Sequence, residues 1–128
     1  MSPALSESQE DYLEAILDIE GRKHAARAVD IGRQLGVRNS SVTGALQALA
    51  GKGLVNYEPY DLVTLTSTGR RTARRIARRH QVLESFLGDQ LGVDPAEAET
   101  IACRMEHALS EDVLEKLIRF IDGGSRHD

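Results

Sequence analysis

The chain has one cysteine, Cys103, so no internal disulfide can form, which fits a reducing cytoplasm. No apolar run approaches the roughly 18 residues that span a membrane. The opening Met1-Ser2-Pro3-Ala4-Leu5-Ser6 has neither the basic nor the apolar region of a secretory signal. These absences predict a cytoplasmic protein with no membrane partner. There is no internal repeat or low-complexity tract. There is also no nucleophile elbow, P-loop or dinucleotide fingerprint. Cys103 and His107 share a helix with several carboxylates, and neighbouring negative charge makes a poor setting for a reactive thiolate. The chain is not expected to be an enzyme.

What is present is a divided charge. Residues 1–20 carry six acids and no Lys or Arg. Residues 21–80 carry twelve Lys and Arg against Asp30, Glu58 and Asp61. Residues 81–128 carry four Lys and Arg against eleven acids. A basic middle suits a polyanion, and acidic ends suit cations or the basic middle itself. The length of 128 residues fits one compact domain or two small ones.

Ser6 and Gln9 resemble a capping box and predict a helix over about 6–21. Asp11, Glu14 and Asp18 share one stripe of it and repel one another. A metal, or simply Arg and Lys, should face them. Residues 28–35 read as a short helix with Val29, Ile31 and Leu35 inward. Gly36-Val37-Arg38-Asn39 is a turn, and Ser40 to about Lys52 is a second helix with Val42, Ala45, Leu46 and Leu49 inward. Helix, glycine turn and helix make a helix-turn-helix. The strand-like runs 54–57 and 62–65, joined by Glu58-Pro59-Tyr60-Asp61, complete a winged helix. Arg38, Asn39, Ser40, Ser41, Thr43 and Gln47 then face double-stranded DNA at the start of the recognition helix. For Ser40 and Ser41, helix capping is the bland alternative.

Thr66-Ser67-Thr68 caps a helix over about 67–91. Arg70, Arg71, Arg74, Arg75, Arg78 and Arg79 form its basic face, for phosphates or for the acidic flanks. His80 and Glu84 follow, and Val82, Leu83, Phe86, Leu87 and Leu91 are core candidates. Asp94 and Pro95 open a helix over about 95–109. On it, Glu99, Cys103, Glu106 and His107 fall at i, i+4, i+7 and i+8, on one face. A last helix over 111–122 carries more apolar surface than it can bury alone, which points to a symmetric dimer. Residues 123–128 are expected to be disordered. The fold class is mainly α, a winged helix over 1–70 and a helical metal-binding and dimerisation domain over 71–128, with the helix of about 67–91 as shared connector.

Three segments thus offer metal donors: Asp11 and Glu14; His80 and Glu84; and Glu99, Cys103, Glu106 and His107. Ordinary pairing of acids with arginines explains each set separately. It does not explain why all three are competent for a metal.

The motifs Asp11-Tyr12-Leu13-Glu14, Ser40-Ser41-Val42-Thr43, Gly53-Leu54-Val55, Leu65-Thr66-Ser67-Thr68-Gly69, Arg79-His80 and Cys103-Arg104-Met105-Glu106-His107-Ala108-Leu109-Ser110 occur in that order. The ordered set, covering about residues 6–122, resembles the diphtheria toxin repressor and manganese transport regulator family of metal-dependent repressors. The resemblance implies a winged helix, a helical dimerisation domain and metal ligands at their junction. It implies a homodimer through the C-terminal helices, metal-controlled operator binding and control of metal homeostasis genes. By position, Asp11, Glu14, His80, Cys103, Glu106 and His107 match primary ligands, and Glu84 and Glu99 match an ancillary site of the iron branch. Asp11 and Glu14 follow the manganese branch, whereas Cys103 follows the iron branch. Thiolate favours Fe²⁺, Co²⁺, Ni²⁺ or Zn²⁺ and carboxylate suits Mn²⁺, so Fe²⁺ and Mn²⁺ lead as effectors. The SH3-like third domain of longer members is not expected, and Gly44 stands where relatives often place a polar recognition residue. The rival readings are a constitutive winged-helix protein with a structural acidic cluster, and a metal-buffering dimer.

Overall fold

The computed structural model describes residues 5–23, 25–58 and 62–126. The chain divides into two compact units, residues 1–75 and 76–128, with the division inside one helix. Elements run α1 (Glu7–Lys23), β1 (Ala26–Arg27), α2 (Ala28–Leu35), α3 (Asn39–Gly51), β2 (Val55–Glu58), β3 (Leu62–Leu65), α4 (Ser67–Ser85), α5 (Pro95–Met105) and α6 (Glu111–Arg126). Among the described residues there is no SH3-like domain, and no helix is long and apolar enough to cross a membrane.

In the first unit, α1 starts at the expected capping box. Gln9 N–H donates to Ser6 Oγ and Ser6 N–H to Gln9 Oε1, both at 3.1 Å. Leu13, Ile16 and Ile19 form its buried stripe, and α1 touches α2, α3, β1 and β3. Gly36 closes α2 at φ 70, a left-handed position that glycine takes without strain. Ile31, Val42, Leu46 and Leu49 are fully buried, so the α2–α3 pair packs as a helix-turn-helix should. Val29 is 48% exposed and is not core. It lies two residues from Ile31, on the other side of a helix too short to bury two faces.

The wing is an antiparallel pair, β2 and β3, in register Val55↔Leu65 to Glu58↔Leu62. The expected turn at Pro59, Tyr60 and Asp61 lies outside the described residues. A third strand lies outside the sequence prediction: β1, two residues long, pairs Ala26↔Val63 and Arg27↔Leu62, giving the order β1-β3-β2. Two residues carry no alternation from which a strand can be read. Glu20 ties this unit together. It is half-buried, accepts from Leu65 N–H at 3.0 Å and pairs with Arg70 at 2.7 Å. Arg70 therefore pairs with the acidic N-terminal flank.

Tyr12 is also buried, and burial pushes its phenol above the usual value of 10.0. The folded chain holds that proton more tightly than the unfolded chain does. Its share of stability is intact below pH about 10 and is lost as pH rises through the folded value. Tyr12→Phe should thus narrow the difference between urea midpoints measured at pH 9 and pH 11. An unchanged difference would place the alkaline loss elsewhere.

In the second unit, α4 ends at Ser85 and continues as a π-helical turn, Phe86–Gln90, short of the helix to 91 predicted from sequence. Leu91 N–H bonds Phe86 O at 3.2 Å, an i to i−5 bond, and Gly92 turns the chain at φ 72. The widened turn rotates Leu91 out of the Leu83–Leu87 stripe, leaving it 59% exposed where a core residue was expected. Asp94 caps α5 by accepting from Ala96 N–H at 3.2 Å. Ala98 and Ala102 of α5 pack on Leu83 and Leu87, with Val93, Ile101, Leu109 and Leu117 around them. The α-helix stops at Met105, and Glu106–Ala108 form a 3-10 turn, so the helix is shorter than the predicted 95–109. α6 runs through Gly123 to Arg126, whereas disorder was expected from 123. Neither proline nor a left-handed glycine stops it there, and glycine in a helix costs only about 1 kcal/mol. His127 and Asp128 lie outside the described residues.

Candidate metal centre and nucleic-acid interface

The metal donors fall in both units. Asp11 and Glu14 lie on α1, half-buried, in the first. Asp18, the third acid of their stripe, pairs with Arg22 at 3.2 Å, an ordinary i, i+4 ion pair. His80, Glu84, Glu99, Cys103, Glu106 and His107 lie in the second unit.

There, burial divides the donors that helical spacing had put on one face. Glu99 and Cys103 are exposed, His107 is half-buried and Glu106 is 0% exposed. The reason is register. Ala98 and Ala102 are the inward stripe of α5, and Glu106 is the next step of it, at i+4 from Ala102. Glu99, Cys103 and His107 are one residue further round. A carboxylate therefore occupies a position where the packing pattern calls for an apolar side chain. It is held there by His80, whose Nδ1 lies 2.8 Å from Glu106 Oε1. The other ring nitrogen, Nε2, lies 3.7 Å from Glu84 Oε2.

An imidazole steadied at one nitrogen by a buried carboxylate, with a second carboxylate beside the other nitrogen, is what a metal-binding histidine needs. The donor set of imidazole, thiol and carboxylates fits a divalent transition metal. Among the second-unit donors, His80 meets Glu106 and Glu84, and donor atoms of His107 lie within 4.8 Å of those of Cys103 and of Glu106. Glu99 is not among the donors so gathered.

Within the second unit, two arginines of the basic face of α4 are engaged by the fold. Arg79, expected on that face, is buried and donates Nη1–H to Leu109 O at 3.1 Å, fastening the turn between α5 and α6. Arg78 pairs with Glu115 of α6 at 3.8 Å. Sequence pattern could not separate these roles, because all six arginines occupy two adjoining rows of one helix.

The candidate DNA surface belongs to α3. Arg38, Asn39, Ser40, Ser41 and Gln47 are exposed, and Thr43 is half-buried. The helix begins one residue earlier than predicted, with Arg38 at the N-cap and no side-chain cap. Ser40 and Ser41 are inside the first turn and do not cap it. Thr43 Oγ1 donates to Asn39 O at 3.1 Å.

Comparison with known proteins bears on both surfaces. Residues 4–63 match the iron dependent repressor N-terminal DNA binding domain. Residues 66–126 match the iron dependent repressor metal binding and dimerisation domain. An uncharacterised HTH-type transcriptional regulator of Methanocaldococcus jannaschii is 39% identical over 92% of this chain and 95% of its own length. The transcriptional regulator MntR of Escherichia coli O157:H7 is 40% identical over 83% of this chain and 68% of its own. Among solved structures, IdeR of T. acidophilum superposes with TM-score 0.79 at 27% identity, over 94% of this chain. A manganese-dependent transcriptional repressor complexed with manganese gives TM-score 0.78 at 32% identity, over 85% of this chain. The chain spans 55% and 50% of those two structures, about half their length. With a DNA-binding winged helix followed by a metal-binding and dimerisation unit, this chain belongs to the iron-dependent repressor family, that of the diphtheria toxin repressor and MntR.

Proposed function

We propose that this chain is a cytoplasmic, metal-dependent transcriptional repressor, not an enzyme, that senses Mn²⁺ or Fe²⁺ and controls metal homeostasis genes. Its DNA-binding domain covers residues 1–70 and its metal-binding and dimerisation domain residues 71–128. Two chains pair through the C-terminal helices and bind double-stranded operator DNA. Val113 and Phe120 of α6, 48% and 68% exposed, support that pairing surface. The metal ligands come from Asp11, Glu14, His80, Cys103, Glu106 and His107, with Glu84 and Glu99 in an ancillary role. The observation that carries the metal reading is Glu106, a carboxylate with no exposed surface on an apolar stripe, fastened to an imidazole.

Held by Asp11, Glu14 and Glu106, a divalent metal would offset the repulsion among these carboxylates and so favour one arrangement of the dimer. Moving a two-state equilibrium from 1:99 to 99:1 takes about 5.5 kcal/mol of differential binding, which several coordinate bonds supply. Arg38, Asn39, Ser40, Ser41, Thr43 and Gln47 of α3 meet the DNA. Binding should weaken steeply with salt as counterions return to the phosphates.

Gel shifts with operator and unrelated DNA, in Mn²⁺, Fe²⁺ or EDTA, test this reading. Binding to operator only with metal is expected. Equal operator binding in EDTA would instead identify a constitutive winged-helix protein with a structural acidic cluster. No sequence preference in any state would identify a metal-buffering dimer.

A further inference from the structure

Beyond its first turn, α3 exposes Gly44, Gln47, Ala48 and Gly51. Only Gln47 carries a polar side chain. The first turn is occupied differently. Asn39 turns its amide back toward α2: its Oδ1 lies 3.7 Å from where a Cβ on Gly32 would stand. The Thr43 hydroxyl donates its hydrogen bond to Asn39 O. Ser40 and Ser41 have short hydroxyls beside the uncapped N–H groups of the helix start, a combination suited to phosphate oxygens. At Gly44, one turn before Gln47, nothing lies within 4 Å of the position a Cβ would take. The helix can therefore approach a groove floor closely at that point. An amide offers one donor and one acceptor side by side, the complement of adenine N7 and N6.

We infer that Gln47 is the principal base-reading residue of this chain, pairing with one adenine in each half-site, while the start of α3 holds the DNA backbone. This rests on the proposed placement of α3 in the major groove. It assigns sequence discrimination to a single side chain, set by the bareness of the helix around it.

The test is selection from a random duplex library with the full chain in Mn²⁺, followed by titration of the selected site and its single-base variants. The wild type should reject replacement of one A·T pair per half-site by roughly 10-fold or more. Gln47→Ala should lose that rejection and keep the same salt dependence, since no charge is removed. Alanine at an exposed helical position favours folding, so the variant remains interpretable. Gln47→Glu should move the preference there toward C·G, because a carboxylate accepts from cytosine N4. Full discrimination by Gln47→Ala at every position would overturn the inference and leave the repressor reading standing. A wild type that enriches no sequence would overturn both.

Discussion

Gly69→Ala should lower the melting temperature of the chain by more than about 10 °C. The cause is a backbone-to-backbone approach at the start of α4. Thr66 N–H donates to Leu54 O at 3.1 Å, and Thr66 Oγ1 donates to Gly53 O at 2.7 Å while accepting from Gly69 N–H at 2.9 Å. These bonds draw the first turn of α4 onto the chain entering β2. A Cβ on Gly69 would overlap the Leu54 carbonyl group, backbone on either side and unable to swing away. Relief requires lifting α4 and breaking the Thr66–Leu54 bond. A lost hydrogen bond at about 1 kcal/mol and overpacking at about 1–3 kcal/mol sum to roughly 3 kcal/mol. A unit the size of residues 1–75 moves by about 4–8 °C per kcal/mol. Gly44→Ala is the control, because its Cβ meets open space and alanine gains about 1 kcal/mol of helix propensity. If Gly69→Ala melts within 2 °C of the wild type, the contact does not constrain this fold.

That contact also shows what sequence can and cannot disclose. Leu65-Thr66-Ser67-Thr68-Gly69 was legible as a helix start, because capping chemistry is local. The need for glycine at 69 depends on Leu54, fifteen residues away, and has no local signature. The same division runs through the rest. The Ser6–Gln9 box and the Asp94 cap are readable because each is written within one turn, and the α2–α3 pair because helical periodicity and a glycine turn are contiguous in sequence. β1 depends on pairing with a distant strand, and Leu91 depends on a π turn that helical periodicity does not contain. In the site, donor types were visible but their burial was not. Ala98 and Ala102 carry little hydrophobic signal as core residues because alanine is small. Read as an inward stripe, they place Glu106 as its third member, and that signal was present at spacing four.

Glu106→Gln should separate what the buried carboxylate does from what the fold needs. Glutamine keeps the volume and can accept from His80 Nδ1–H, so the 2.8 Å contact survives. Only the negative charge is removed. Burying that charge is costly without a cation beside it, and a neutral amide relieves the cost. The metal-free variant should therefore unfold at the same urea concentration as the wild type, or at a higher one. Mn²⁺ affinity should fall by roughly 10- to 100-fold or more, since even partners outside the coordination shell carry losses of that size. Operator binding at micromolar Mn²⁺ should fall with it and return only at higher metal. A purely structural ion pair predicts the reverse: an unchanged metal response and a loss of about 3–5 kcal/mol in stability from breaking a buried pair. The two outcomes differ on both axes, so calorimetric Mn²⁺ titration and urea unfolding of one variant decide between them. A stability gain paired with a lost response means that this charge is buried for the metal and held against the preference of the fold.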